Sequence, residues 1–510
     1  MQKKNEKLED SFFENINGYS LDFNQRKIII DETPNILVVA GAGSGKTLTM
    51  VGKVKYLIEK LNVRPEDILC ISFTNETVNS LKKKLDYDLD VFTFHKLSLE
   101  ILKDQHVFFQ IAKEDLLEYI VYEYFESIIY NNSYLDYVLV YFSYYIDTKE
   151  LNLETIKKEY FNLFTSYKKL IITFINRIKS NNHTMKNFLK YLKRNKYLYS
   201  KKKKFKNKCF LIIMFDIYRI YLEELNSTYS IDFDMMISLA SFIVKKRGMK
   251  RFYKYIIIDE FQDTSMVRYK LVKSIQEECD SKILCVGDDF QSIYRFSGCT
   301  LDLFVNFKKY FKPSKVLYMN KTYRNSLELI KISYNFIIKN HYQLSKRIIS
   351  DKRLKNPLKL VYFTKSNYEY KFFRLLDKLY LEGKKDILVL GRCNHDIKAI
   401  YQKELLDGNL QYKDMKIRYL TVHTSKGLEA DNVIVLNLVD DILGFPNKIE
   451  EDEVLKLFFK NKEKYLYAEE RRLFYVALTR TKNNVYLMTK KNQESLFVLE
   501  IKKKCEIFDV

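Results

Sequence analysis

The segment Ala40–Thr47, AGAGSGKT, follows the apolar run NILVV without a break and opens a helical pattern. A strand that ends in a glycine-rich loop and restarts as a helix can wrap backbone N–H groups around a phosphate at the helix N-terminus. Gly41, Gly43 and Gly45, with Ala42 and Ser44 between them, let the loop close. Lys46 is placed to reach the β and γ phosphates and Thr47 to ligate magnesium. Ala40 stands where the usual pattern has glycine, so the match rests on its context of strand, loop and helix.

That context recurs. The apolar runs Asn35–Ala40, Asp67–Phe73, Tyr255–Asp259, Lys282–Asp288 and Lys315–Met319 alternate with helical patterns. Near-continuous apolar strands of this kind predict a parallel sheet covered on both faces. A second set, Leu358–Phe363, Asp386–Gly391, Ile417–His423, Asn432–Val439 and Asn484–Thr489, predicts a second α/β domain. Between the second and third strands of the first set, from about Ser98 to Lys208, Tyr, Phe, Lys and Leu at helical spacing with almost no Gly or Pro predict a helical insertion. The expected division is 1–97 and 209–316 for the first core, 98–208 for the insertion and 317–510 for the second core.

Two further strand ends carry chemistry. YIIIDEFQDTS, Tyr255–Ser265, delivers two adjacent acids at the C-terminal end of a strand, where open α/β sheets bind ligands. Asp259 would hold magnesium, and Glu260 would orient and deprotonate the water attacking a γ-phosphate. VGDDFQSIYRFSG, Val286–Gly298, places the amide of Gln291 where it could sense that phosphate.

These motifs in this order resemble the UvrD, Rep and PcrA group of superfamily one helicases over nearly the whole chain apart from the insertion. The resemblance implies two RecA-like cores, ATP hydrolysis with magnesium, and three-prime to five-prime movement on single-stranded or partly duplex DNA. It assigns Gln25 to adenine recognition, Arg324 and Arg480 to the γ-phosphate from the second core, and Tyr323 and Glu429 to base and ribose. Phe73, Thr74 and Asn75, then Thr93, Phe94 and His95, resemble segments lining the strand groove. Phe73 and Phe94 are equally readable as core. Tyr294 and Phe296 follow the sensor closely enough to link a stacked base to hydrolysis, and His423 and Thr424 resemble the part of the coupling motif near the strand.

The chain departs from the family in places. Phe296 and Ser297 stand where Trp and Arg are common. Only a short stretch, about 406–417, separates the Leu388–Leu406 motif from the coupling motif, so the second accessory domain is expected to be reduced or absent, which puts autonomous unwinding in question. The stretch from Arg480 to Val510 is short for a nuclease domain, so the expectation is that any cutting would need a partner. That economy resembles the motor subunit of Gabija anti-phage systems, which accompanies a separate nuclease subunit. A DNA-sensing ATPase that signals to such a nuclease is the competing expectation.

Composition narrows the classes. A net charge of +22 suits a polyanionic partner, although abundant Lys, Asn, Ile, Tyr and Phe with no Trp also fit A/T-rich coding. The stretch Lys190–Lys208 interleaves lysines with Tyr191, Tyr197, Tyr199 and Phe205, readable as a strand-binding surface or as a solvated helix face. The seven cysteines form no C-x-x-C pair, which argues against zinc and disulfides and for a reducing compartment such as the cytoplasm. The apolar runs are short for a membrane span and the first residues are polar, so neither a membrane span nor a signal peptide is expected.

Overall fold

A computed structural model describes residues 10–128, 130–141, 153–183, 201–406, 412, 414–456 and 463–510. The strands, in chain order, are β1 (Asn35–Ala40), β2 (Ile68–Ser72), β3 (Asp90–Thr93), β4 (Gln110–Ile111), β5 (Ser230–Ile231), β6 (Tyr255–Ile258), β7 (Lys282–Gly287), β8 (Lys315–Met319), β9 (Leu358–Phe363), β10 (Asp386–Gly391), β11 (Lys416–Thr421), β12 (Asn432–Val435), β13 (Val485–Lys490) and β14 (Glu506–Ile507). They build two six-stranded sheets, ordered β3-β2-β6-β7-β1-β8 and β11-β10-β12-β13-β9-β14, parallel throughout. Each sheet separates two apolar layers, as near-continuous runs such as the wholly buried β1 require. The chain is thus α/β with two parallel-sheet cores, the architecture of RecA-like domains.

Parallel register brings the working ends together. Val39 lies opposite Gly287, and Ile71 opposite Ile258, so the segments after β1, β2, β6 and β7 emerge at one edge of the first sheet. The second sheet does the same with β10 and β11, where Gly391 pairs with Thr421.

The expected domain divisions shift at three places. β8 pairs with β1 from Lys315 to Met319, so the first sheet runs past residue 316. The helix Phe94–Asp104 packs Leu97, Ile101 and Leu102 into the first core, and the insertion therefore starts later than residue 98. At its far end the helix Lys201–Ser227 continues through residue 208, burying Phe210, Ile213, Met214 and Tyr221 with the insertion. In each case an apolar face continues across the point where the composition changes.

The insertion gathers the helices Leu116–Ile128, Asn132–Tyr141, Leu153–Ser180 and Lys201–Ser227 around an aromatic core that includes Phe125, Tyr141, Tyr167, Phe174 and Phe210. Of the basic stretch Lys190–Lys208, Tyr191, Tyr197 and Tyr199 lie outside the described residues, while Phe205 is exposed on its helix. All seven cysteines are free thiols. Among the described residues no helix is long and apolar enough to cross a membrane.

Candidate active site

The loop after β1 turns through Gly43 and Gly45, both at positive φ (70° and 81°), into the helix Lys46–Leu61. Ser44 is buried and donates from Oγ to the Gly41 carbonyl at 2.9 Å, which tightens the turn. Ala40 is wholly buried at the end of the strand. Gly43 is also a contact point, since a Cβ there would lie 2.4 Å from Cβ of Arg324. The segment Thr322–Arg324 rests on this loop. Thr322 Oγ1 donates to the Ala42 carbonyl at 2.7 Å, and Tyr323 N donates to that of Gly43 at 2.9 Å.

Gln25 is held beside the same loop by the cap of its own helix, Phe23–Ile29. Its backbone N–H donates to Asp22 Oδ1 while its Oε1 accepts from Asp22 N, a reciprocal capping box. That leaves Nε2, which is buried and has no hydrogen-bond partner. A Cβ on Gly45 would lie 2.8 Å from it. An orphaned buried donor costs about 1–3 kcal/mol and suits an acceptor brought by a ligand. The exposed ring of Tyr323 lies nearby, its hydroxyl donating to Asp22 Oδ2 at 2.9 Å.

The acids after β6 meet the lysine of the loop. Lys46 Nζ donates to Glu260 Oε1 at 2.6 Å, and Gln262 Nε2 donates to Glu260 Oε2. Burial raises the Glu260 carboxyl, but Lys46 and Lys426 outweigh it and hold the group ionised. Asp259 moves the other way, raised by burial and by the Glu260 charge beside it. Glu260 adopts the left-handed conformation, φ 47°, which few non-glycine residues tolerate. Asp259 and Thr47 supply a carboxylate and a hydroxyl. This oxygen-only set fits magnesium carried mainly by phosphate and water. Among the described residues no cluster of three or more His, Cys, Asp or Glu could hold a metal by itself.

The second core closes over these groups with cations. Arg480, buried at the end of the helix Ala468–Thr479, donates from Nη2 to Gln291 Oε1 at 2.8 Å and from Nη1 to the Leu428 carbonyl at 3.2 Å. Gln291 in turn donates to Asp288 Oδ2 at 2.6 Å. Burial, then the charge of Arg324, pushes Arg480 down to about 9, still cationic at neutral pH. Arg324 donates to Glu429 Oε2 at 2.8 Å and to the Thr479 carbonyl at 3.3 Å. Burial raises Glu429, but Arg324 and Lys482 hold it below its ordinary value.

Lys426, which the sequence reading did not single out, is a further link between the cores. Its Nζ donates to Asp263 Oδ2 and to the Gln291 carbonyl at 2.7 Å, and lies 3.9 Å from Glu260 Oε2. Its place beside Gly427 in the coupling motif was the available signal. Lys346, which bridges the buried Asp288 and Asp289, had none, because no motif surrounds it.

The residues assigned to a strand divide into two groups. Tyr294, Phe296 and His423 come together across the cores. The Tyr294 hydroxyl donates to the His423 carbonyl at 3.1 Å, and the Phe296 ring stands edge-on to His423 at 5.6 Å. Thr424 is exposed next to them. Elsewhere Phe73 packs edge-on to Phe94 at 5.7 Å, with Arg268 over the Phe73 ring at 4.9 Å. Phe94 is only 2% exposed within the first core, so its ring offers no face to a base, because the helix it starts covers the sheet. Thr74 and Thr93 cap the helices Asn75–Leu85 and Phe94–Asp104. Asn75 is exposed at the first of these N-termini, and His95 packs on Phe233 at 4.8 Å.

Two family domains match the chain, the UvrD/REP helicase N-terminal domain over residues 21–312 and the UvrD-like helicase C-terminal domain over residues 403–492. The chain is 26% identical to DNA helicase IV of Escherichia coli (strain K12) over 522 residues, which covers 97% of this chain and 72% of the relative. It is 26% identical to ATP-dependent DNA helicase Rep of Buchnera aphidicola subsp. Acyrthosiphon pisum, covering 94% and 70%. A probable DNA helicase of Mycoplasma pneumoniae is 24% identical, covering 89% and 80%. With the N-terminal family domain alone spanning more than half its length and both halves of the cleft built as described, the chain belongs to the UvrD/Rep helicase family of ATP-hydrolysing enzymes.

Proposed function

We propose that this chain is an ATP-driven translocase on single-stranded or partly duplex DNA, moving three-prime to five-prime, with magnesium held by Thr47 and Asp259. The observation that carries the reading is the convergence of Arg480 and Lys426 from one core on Gln291 and Asp263 of the other. Cations delivered across a cleft stabilise charge that develops on a transferring phosphoryl group, and they make turnover depend on closure. A triphosphate in the loop would draw Lys46 from Glu260, freeing that carboxylate to accept a proton from water. Gln25 would recognise adenine through its orphaned Nε2, and Tyr323 and Glu429 would border base and ribose. Phe73, Thr74, Asn75, Thr93, His95, Tyr294, Phe296, His423 and Thr424 would line the strand path. The names of the relatives support DNA as the track.

A second reading makes the chain a DNA-sensing ATPase in the cytoplasm that controls a separate nuclease, as in Gabija-type anti-phage defence. What favours it is the short passage from the helix Asn394–Leu406 to β11 in the second core. ATP turnover with and without single-stranded DNA, followed by strand displacement on a tailed duplex, separates the two. Stimulation with displacement supports the translocase, and stimulation without displacement supports the sensor. An ATPase indifferent to DNA would sink both.

A further inference from the structure

Residues 447–456 of the second core form an arm that reaches the insertion. Val454 and Leu455 are buried in the insertion's aromatic core, and the Tyr141 hydroxyl donates to Asp452 Oδ1 at 2.5 Å. Beside them Glu451 is shared. Its Oε1 pairs with Arg177 Nη2 of the insertion at 2.5 Å, and its Oε2 accepts from Arg295 Nη2 at 2.7 Å. Arg295 belongs to the sensor segment of the first core, four residues beyond Gln291 and next to Phe296. Its backbone N–H also donates to Glu469 of the second core at 3.2 Å.

The insertion touches the same sensor segment from its other side. A Cβ on Gly298 would lie 1.8 Å from Ser180 Oγ, at the end of the helix Leu153–Ser180. The Thr300 hydroxyl donates to Asn181 Oδ1 at 3.3 Å. The end of that helix is therefore wedged between the sensor segment and the arm. Withdrawal of the second core must either pull Val454 and Leu455 out of the insertion or carry the insertion away from Gly298.

We propose that Glu451 is a positioning residue of the motor cycle, which by holding Arg177 and Arg295 together makes the insertion and the strand-facing aromatics follow closure of the nucleotide cleft. The arm is then a clasp, and its charge pair sits outside the groups that handle ATP. This rests on the reading of the cleft as an ATP site coupled to a strand.

The test is hydrogen–deuterium exchange of the full chain with and without a non-hydrolysable ATP analogue, on the wild type and Glu451→Gln. Nucleotide should add protection to residues 168–181 in the wild type, and Glu451→Gln should lose that addition. Equal protection in both proteins, or none in the wild type, overturns the proposal. In turnover assays Glu451→Gln should keep DNA-free ATPase and the KM for ATP. Its DNA-stimulated kcat should fall about tenfold, an ordinary coupling between sites. Arg177→Ala added to Glu451→Gln should lower it no further, since both changes break one link. Full stimulated turnover in Glu451→Gln, or additive losses in the double variant, would overturn the clasp. A wild type that DNA does not stimulate defeats the strand reading, while the exchange experiment still decides the clasp.

Discussion

The nucleotide cleft and the proposed strand path lie at the same edges of the two sheets, yet they are built by opposite means. The cleft consists of buried charges that already hold one another, such as Lys46 with Glu260, Lys426 with Asp263, and Lys346 with Asp288 and Asp289. The proposed strand path is made of aromatic and capping side chains, exposed like Phe296, whereas Phe94, which the motif also offered, is committed to the core. A buried charge without a partner costs several kcal/mol, so each cleft residue is fixed by its neighbours and has few substitutes. An aromatic ring is tolerated in either place, so its residue type does not reveal its role. Changes in the cleft should therefore be severe and specific, and changes along the proposed path graded.

The strongest test of that contrast is Arg480→Ala. Removing a cation that crosses to Gln291 should lower ATP turnover by about 10³-fold or more, the usual worth of an arginine at a transferring phosphoryl group. Nucleotide affinity, measured by fluorescence titration, should change far less. Turnover within tenfold of the wild type would remove Arg480 from the chemistry.

Glu260→Gln comes next, with an expected loss of about 10²–10⁴-fold in kcat, the range for a general base. The amide keeps the shape and can still accept from Lys46, so ATP binding should persist. A variant that turns over normally would leave Glu260 as nothing more than the counter-ion of Lys46.

Among the aromatic rings the comparison sharpens into a pair. Phe94→Ala opens a hole in the first core and should cost about 3–5 kcal/mol in chemical denaturation, by the usual loss for a buried phenylalanine. Phe296→Ala should leave stability nearly unchanged and weaken single-strand binding by about 1–3 kcal/mol, the worth of one stacked base. The opposite pattern would reverse the assignment of the two rings.

The sequence made the cleft legible because its chemistry needs fixed residue types at strand ends. Lys46, Asp259, Glu260 and Gln291 were nameable from motifs at strand ends, and Arg324 and Arg480 from the family resemblance; the structure brings them together around Glu260 and Gln291. The alternation of apolar runs and helical patterns made both sheets legible, apart from the short edge strands β3 and β14. Three things could not be read. The partners of Lys346 lie far away in the chain and carry no motif. The choice between core and stacking for Phe94 depends on which face its helix turns to the sheet. The arm around Glu451 is a charged loop until the insertion is placed against it, since only then do Val454 and Leu455 become buried.

The smallest predicted effect concerns pH and joins the two regions. Burial, with Arg268 near His95 and Arg392 and Lys426 near His423, pushes both imidazoles from 6.5 down to about 4. Both rings are neutral in the folded protein at neutral pH, so a strand lying on the proposed path would meet hydrogen-bonding groups there and no charge. Single-strand affinity should then owe nothing to their titration between pH 6 and 8. Because the folded values are depressed, the stability these groups contribute is complete above pH 6.5 and is lost as pH falls toward about 4. Denaturation midpoints followed over that range should decline more steeply for the wild type than for a His95→Gln, His423→Gln double variant. Equal slopes, or a strand affinity that rises between pH 8 and 6 and loses that rise in the double variant, would mean that these rings take up protons near neutrality and add charge to the proposed path.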